Sequence, residues 1–101
     1  MARKKFTDVP KKVREIVYKR DSFEDYPCCI ICGIAGYHDM AHYTSRNSNG
    51  LGIEENLANV CRSCHYRMDQ TIERKELKKQ FRLYLESKYE NWNEEDLIYR
   101  R

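Results

Sequence analysis

Apolar residues near the N-terminus recur with a helical period. Val13, Ile16 and Val17 fall on one side of a helix that is predicted to end near Arg20. Asp8 is the expected N-cap, because a short polar side chain at that position can accept a hydrogen bond from a free backbone N–H. The polar residues that follow the helix predict a loop.

A longer apolar stripe near the C-terminus predicts a second helix. Leu77, Phe81 and Leu85 recur every four residues, with lysines and arginines on the other faces, which predicts a helix over residues 73–89. Asn93 is followed by three acidic residues. This pattern predicts a short last helix, because acids interact favourably with the positive end of a helix.

The centre of the chain predicts two short strands and one further helix. Residues 37–44 mix aromatic and polar side chains and predict a strand, and residues 51–53 predict a short second strand. The Asn49-Gly50 pair between them marks a tight turn. A helix is predicted from Arg62 or Ser63 to about Gln70.

These elements predict an α+β fold in one domain of 101 residues. We expect a basic tail over 1–7, an N-terminal helix and loop over 8–26, a core over 27–70 and C-terminal helices over 71–101. Since 41% of the residues are hydrophobic and 35% are charged, the core must be compact. Domains of this size often depend on a disulfide or a metal for stability.

The N-terminal residues do not resemble a signal peptide, because no apolar run follows the charges of Arg3, Lys4 and Lys5. No stretch approaches the roughly 18 apolar residues of a membrane span. We therefore expect a cytoplasmic protein without a membrane partner. Thiols stay reduced in that compartment, where paired cysteines indicate metal binding rather than disulfides.

Charge is distributed unevenly along the chain. The net charge is +3, yet residues 1–20 alone carry eight basic and two acidic side chains. A basic arm of this kind suits a polyanionic partner such as nucleic acid. A solvated helix face with a frayed terminus is the alternative, and charge alone does not decide between them.

Two C-x-x-C pairs predict a zinc site. The four thiols belong to Cys29, Cys32, Cys61 and Cys64. Zinc takes four thiolates in a tetrahedron with no open position, so we expect a structural Zn²⁺ ion here. Gly33 supplies the unusual dihedral angles that a turn between such ligands requires. Reduced buried thiols or an oxidised pair are the alternatives, and Cys28 is expected to be a packing residue.

His65 and Asp69 form a second candidate site on the same helix. Their spacing of four residues brings the two side chains to one face, with Cβ atoms roughly 6 Å apart. Cys64 points about 100° away from His65, so neighbouring residues can serve different sites. An imidazole with a carboxylate suits a divalent cation that keeps open positions. Taken singly, His65 is equally well a spare zinc-type ligand and Asp69 a surface acid.

The combined motifs resemble those of the HNH endonucleases. The matching segments are C-I-I-C at 29–32, A-H-Y at 41–43, Asn56 and C-R-S-C-H at 61–65. More narrowly, they are similar to small zinc-containing HNH proteins of bacteriophages and prophages. The resemblance covers roughly residues 13–70 and implies a ββα-metal core. It also implies a phage or prophage gene expressed in a bacterial host.

The resemblance implies a role for each matching residue. His42 corresponds to the general base and Asn56 to the residue that holds the loop of the site by hydrogen bonds. His65 corresponds to a metal ligand, and Asp69 stands where many members place another ligand. The metal is expected to be Mg²⁺ or another divalent cation, which would grip the phosphate and neutralise the leaving oxygen.

One position departs from the family pattern. Many members carry Asp, Glu or His immediately before the base, whereas this chain has Ala41. The metal would then keep an extra water, or Asp39 would reach in. This departure bears on catalytic strength and on metal preference.

The expected activity is hydrolysis of DNA phosphodiester bonds, by nicking or by double-strand cleavage. Backbone contacts are expected from Arg46, Arg62, Arg67, Lys11 and Lys12. No element for reading bases is evident, so sequence specificity is expected to be low. Two alternatives are a non-catalytic zinc-finger DNA-binding module and an accessory of the phage DNA packaging machinery.

Overall fold

The structure is a computed structural model and describes residues 6–99. It contains three α-helices and two small antiparallel sheets, so the predicted α+β class is confirmed. In chain order the elements are α1 (Lys11–Arg20), β1 (Ser22–Phe23), β2 (Tyr26–Pro27), β3 (Asp39–His42), β4 (Leu57–Val60), α2 (Arg62–Gln70) and α3 (Arg74–Lys88).

Helix α1 starts two residues later than an Asp8 cap requires. Pro10 occupies the N-cap position in an extended conformation, and its carbonyl accepts a hydrogen bond from the Arg14 N–H. The predicted Asp8 cap is therefore wrong, because the Asp8 carboxylate pairs with Arg46 instead. Val17 lies on the inner face and is fully buried.

A tight hairpin replaces the loop that was predicted after α1. Strands β1 and β2 pair antiparallel, with Phe23 opposite Tyr26. The two residues between them, Glu24 and Asp25, both have positive φ, at 51° and 69°. Positive φ at both central positions is the geometry of a turn that matches the twist of paired strands. The prediction missed it because neither residue is glycine or asparagine.

Strand β3 lies within the predicted segment 37–44, but the second strand is not 51–53 as predicted. The partner of β3 is β4, with Ala41 opposite Ala58 and His42 opposite Leu57. The backbone of residues 51–53 is occupied elsewhere, since Leu51 N–H donates to the Leu97 carbonyl. Every residue of β4 is buried, so this strand lies inside the fold between its neighbours.

Buried polar side chains tie α1 to β4 and α3. The Asp21 carboxylate accepts hydrogen bonds from the Asn59 N–H at 2.8 Å and from the Tyr84 hydroxyl. Arg20 pairs with Asp21 and donates to the Leu57 carbonyl at 2.6 Å. These bonds satisfy groups that would otherwise be buried without partners. They hold β4 against α1 and α3. Because β3 pairs with β4, they also hold the β3–β4 hairpin, which carries His42, against these helices.

The C-terminal predictions agree closely with the structure. Helices α2 and α3 match the predicted spans to within one residue at each end. The last predicted helix is a 3-10 turn over Glu94–Leu97, which Asn93 caps by accepting the Glu95 N–H at 2.9 Å. Within the described residues, no helix is both long enough and apolar enough to cross a membrane.

The N-terminal segment packs on the body from Phe6 onward. The Phe6 ring stacks on Tyr99 with centroids 4.6 Å apart, and Thr7 is buried. The last two residues of the tail predicted over 1–7 therefore belong to the folded body. Residues 1–5 of that tail lie outside the described range.

One hydrophobic core joins the β3–β4 hairpin to helices α2 and α3 and to the cysteines. It combines α3 with β4, α2 and the cysteines, and its most buried members are Phe81, Leu85, Val60, Ala58, Ala41, Met68 and Cys64. Met68 and Cys64 present one face of α2 to this core. His65 is only partly buried on the same helix. Because successive residues of a helix point about 100° apart, α2 directs Cys64 into the core and His65 toward the surface.

Candidate functional site

The structure brings the four predicted cysteines together. The sulfur atoms of Cys29, Cys32, Cys61 and Cys64 all lie within 4.8 Å of one another. Cys32 Sγ and Cys61 Sγ are 3.7 Å apart. A tetrahedron with Zn–S bonds of about 2.3 Å has edges of roughly 3.8 Å. The cluster could therefore hold a metal ion such as zinc.

The local backbone is arranged to favour thiolates. The N–H groups of Ile31 and Cys32 point at Cys29 Sγ at 3.4 and 3.5 Å. Gly33 follows with a φ of 83°, in the left-handed region that was predicted for it. On α2, the Cys64 N–H makes the equivalent contact with Cys61 Sγ at 3.5 Å. Each C-x-x-C pair thus forms a turn around its first sulfur.

Burial and hydrogen bonding shift the pKa values of the cluster's thiols in different directions. Burial opposes ionisation of Cys29, but N–H groups of Cys32, Cys61 and Ile31 lower its pKa to about 7. Burial raises the pKa of Cys64, and contacts with neighbouring thiols raise it further. Ionisation of one thiol therefore opposes ionisation of its neighbours. A dication bound by the four sulfur atoms would stabilise all of them as thiolates.

Cys28 stands apart from the cluster. Its sulfur approaches the Tyr26 carbonyl at 3.4 Å, and its backbone N–H donates to the Asp21 carbonyl. It is not among the residues whose sulfur atoms converge. Its expected role as a packing residue fits this position.

His65 lies between two carboxylates. Its Nδ1 is 3.1 Å from Asp39 Oδ2, and its Nε2 is 3.4 Å from Asp69 Oδ2. The predicted approach of Asp69 to His65 along the helix is therefore confirmed. The His65 side chain is 30% exposed and that of Asp69 is 54% exposed, so solvent and a ligand can reach this cluster.

Asp39 brings its carboxylate to His65 from strand β3. It lies two residues before Ala41 on β3, and side chains two apart on a strand share one face. Ala41 itself is 1% exposed and packs in the core. Arg62 pairs with Asp39 at 2.9 Å, and this contact is the main reason that the pKa of Asp39 is lowered. Asp39 therefore lies at Nδ1 of the His65 ring, whereas Asp69 lies at Nε2.

The ring of His42 is oriented by the N-terminal segment. Its Nε2 is 3.1 Å from the Thr7 carbonyl oxygen. Because a carbonyl can only accept, Nε2 carries the proton and Nδ1 keeps its lone pair when the ring is neutral. Burial lowers the pKa of His42, and electrostatic interactions with Arg46 and His65 lower it further, against the effect of Thr7. His42 is therefore neutral at pH 7.

Asn56 closes the loop that follows β3. Its Oδ1 accepts the Thr44 N–H at 2.8 Å, and its Nδ2 donates to the carbonyls of Thr44 and Leu51 at 3.1 and 2.8 Å. The residue is completely buried. These bonds are of the kind that the resemblance implies for this position. They fix both ends of the loop that carries Arg46.

Three of the arginines expected on DNA hold carboxylates. Arg46 pairs with Asp8, Arg62 with Asp39, and Arg67 with Glu73. Arg67 also approaches Cys64 Sγ at 3.8 Å, so it lies over the cysteine cluster. Contact of these arginines with phosphate stays a prediction.

The two lysines expected on DNA occupy the first turn of α1. Lys11 and Lys12 are exposed there and have no carboxylate partner within residues 6–99. The three arginines belong to other elements, Arg46 to the loop after β3 and the other two to α2. Their contact with phosphate likewise stays a prediction.

Two contacts of the site escaped prediction. The Thr7 carbonyl reaches His42 across 35 positions of the chain. Lys78 donates to the Tyr43 carbonyl and lies 4.5 Å from the centroid of the Tyr43 ring. Nothing in the local sequence signals the first contact, whereas Lys78 belongs to a visible cationic stripe of α3.

The fold and the site define a class of protein: a small α+β domain with a four-cysteine cluster and a separate histidine–carboxylate cluster. Comparison of the chain with family models, with curated proteins and with solved structures gives no match. Function therefore has to be inferred from the residues and their geometry.

Proposed function

We propose that the protein is a metal-dependent endonuclease of the HNH type, which hydrolyses phosphodiester bonds in DNA. The observation that carries this proposal is the pairing of a neutral, oriented His42 with a solvent-accessible His65–Asp69 pair. A hydrolase of this kind needs a base for water and a cation for the phosphate. The two parts occupy adjacent elements, β3 and α2, which are in contact.

His42 is the general base in this proposal. Nδ1 accepts a proton from the attacking water, because Nε2 is already committed to the Thr7 carbonyl. The same carbonyl then stabilises the imidazolium ion that forms, since Nε2–H keeps its acceptor. This arrangement resembles the general device in which a second acceptor fixes the tautomer of a catalytic histidine.

His65 and Asp69 are the proposed ligands of the catalytic cation. Donation of Nδ1–H to Asp39 would leave the Nε2 lone pair facing Asp69 Oδ2 at 3.4 Å. Two acceptors that face each other are stabilised by a cation near both. A carboxylate behind a metal-binding histidine commonly fixes its tautomer, and Asp39 takes that position. Mg²⁺ or another divalent ion bound there would grip the phosphate and neutralise the leaving oxygen.

The position of Ala41 limits the cation to few protein ligands. Since Ala41 is buried in the core, no side chain at this position can reach the cation. Asp39 is engaged with Nδ1 of His65 and with Arg62. We therefore propose that His65 and Asp69 supply the protein ligands and that water fills most other positions.

The four cysteines are proposed to bind a structural Zn²⁺ ion. Four thiolate ligands would close the coordination shell, so this ion would take no part in catalysis. It would join the turn after β2 to the start of α2. Since His65 directly follows Cys64, the same ion would set the position of the catalytic helix.

The resemblance also supports a setting for the activity. It favours a phage or prophage gene, action on DNA in the bacterial cytoplasm, and a link to packaging proteins. A non-catalytic zinc-finger module is the second candidate function. It is favoured by Ala41, which removes one expected ligand of the catalytic metal.

Supercoiled plasmid tests the proposal most directly. We expect nicking when Mg²⁺ or Mn²⁺ is added, no nicking without a divalent cation, and none with the His42→Ala variant. The zinc content of each sample should be measured in parallel, so that loss of the structural ion is not mistaken for loss of catalysis. A wild-type protein that shifts plasmid on a gel without nicking it would favour the binding module.

A further inference from the structure

Cationic residues form a stripe along α3. They are Arg74, Lys75, Lys78, Lys79 and Arg82. Steps of four residues connect positions 74, 78 and 82, and also 75 and 79, so these side chains share one side of the helix. The adjacent face carries Leu77, Phe81 and Leu85, which are buried. The stripe therefore runs beside the buried face, with Lys78 at its inner edge.

These five side chains line a groove together with Tyr43 and Ile72. The groove has a volume of about 630 Å³. We call it the cationic groove. Ile72 at its edge is fully exposed. The groove contains no carboxylate, which distinguishes it from the surface around His65.

Most of the charge in the cationic groove is uncompensated. Arg82 pairs with Glu86 and Glu94. In contrast, Arg74, Lys75 and Lys79 form no ion pair with any residue between 6 and 99. Clustered cations without partners repel one another, and an anionic ligand would relieve that repulsion.

Lys78 connects the cationic groove to the candidate catalytic residues. Its ammonium group donates to the carbonyl of Tyr43, the residue that follows His42. Burial lowers the pKa of Lys78, whereas the charge of Asp69 raises it, so that carboxylate lies within electrostatic reach. The cationic groove therefore adjoins the chain at Tyr43, the residue that follows His42.

We propose that the cationic groove binds the phosphate backbone of duplex DNA and delivers one strand to His42, His65 and Asp69. This inference rests on the proposed nuclease function and names its substrate-binding surface. The stripe spans nine residues and about 12 Å of helix, which matches roughly three to four phosphates of one strand. Lysine and arginine contacts to phosphate carry no sequence information, so binding through this groove is non-specific.

Paired charge-neutralising variants test the groove. Lys75→Gln with Lys79→Gln removes two groove cations, and Lys19→Gln with Lys88→Gln removes two exposed lysines that do not line it. Both pairs are placed in the His42→Ala protein, so that binding is measured without cleavage. The probe is a short fluorescent duplex DNA, titrated at several salt concentrations.

We expect the groove pair to bind the duplex about tenfold more weakly at low salt. The slope of log affinity against log salt should become shallower by about two, one for each lost phosphate contact. The control pair should change affinity by less than about twofold. Equal weakening by both pairs, or no change in the groove pair, would overturn the inference.

The groove and the nuclease can fail separately. If the groove pair loses binding and the wild type does not nick plasmid, DNA binding by the groove is supported and nuclease activity is refuted. If the groove pair binds normally, and also nicks normally when prepared with His42 intact, DNA binding by the groove is refuted and nuclease activity is supported. A poly-glutamate peptide that binds more tightly than duplex DNA would overturn the assignment to nucleic acid. Zinc content and thermal melting establish that each variant is folded.

Discussion

The two candidate metal clusters meet at Cys64 and His65, yet they differ in burial and in composition. Cys29 and Cys64 are 3% and 2% exposed, whereas the Asp69 side chain is 54% exposed. The cysteine cluster has four like side chains, of which Cys29, Cys61 and Cys64 are buried and Cys32 is exposed. The histidine cluster has mixed side chains that face solvent. Four thiolates can fill the coordination shell of a zinc ion, which suits a structural site, whereas a mixed, accessible set suits chemistry.

The difference shows how one helix can serve both purposes. Adjacent residues on α2 point about 100° apart, so Cys64 faces inward while His65 faces Asp39 of strand β3. The cysteine cluster then acts on chemistry only by placing α2. We therefore expect substitutions in the two clusters to have separable effects, with loss of the fold in one case and loss of activity in the other.

The largest effect is expected from Cys61→Ser. Zinc bound by four cysteines contributes about 10 kcal/mol or more, which is comparable to the whole stability of a small domain. We expect loss of bound zinc and of the folded far-UV spectrum. Cys28→Ser is the matched control, because this sulfur lies outside the cluster. A folded, zinc-loaded Cys61→Ser protein would exclude the four-cysteine site.

His42→Ala should remove catalysis and leave the fold. Loss of a general base lowers the rate by about 10²–10⁴-fold. Zinc content and thermal melting should change little, since His42 is outside the cysteine cluster. His38→Ala is the control, because His38 is the other histidine before the loop and its ring lies against the nearby Ile34 carbonyl. Plasmid nicking that persists in His42→Ala would show that another group is the base.

Asp69→Ala and Asp39→Asn should weaken cation binding to different extents. Asp69 is the proposed ligand, so its loss should raise the Mg²⁺ concentration needed for half-maximal nicking by about 100-fold. Asp39 acts through His65 and should cost about tenfold. Titration of nicking against Mg²⁺ and Mn²⁺ measures both. An unchanged Asp69→Ala titration would remove Asp69 from the site, and equal losses would argue that both carboxylates bind the cation directly.

The smallest effect is expected from raising the pH above neutrality. Because folding lowers the pKa of His42, the ring is already neutral at pH 7 and nicking should be nearly constant above it. Below the lowered pKa the base is protonated, and the rate should fall about tenfold for each pH unit. A pH–rate profile measures this. A rate that climbs steadily through pH 8 would point to a base other than His42.

Local pattern was sufficient for much of the molecule. Apolar periodicity located α2 and α3, and the spacing of four residues brought His65 to Asp69. The strand pairing was harder to predict. Residues 51–53 and 57–60 both resemble short strands, and only contacts with the Leu97 and Phe6 backbones exclude the first. A local window holds no information about such distant partners.

The sequence by itself determined the helices, the two cysteine pairs and the residues of the candidate catalytic set. Helical turns and C-x-x-C turns are formed between residues a few positions apart, so their geometry follows from spacing. Only the tertiary structure decided that Thr7 orients His42, that Asp39 reaches His65, and that Lys78 joins the cationic groove to Tyr43. Those contacts join residues 26 to 35 positions apart, and their geometry depends on the packing of α1, β4 and α3 around the hairpin.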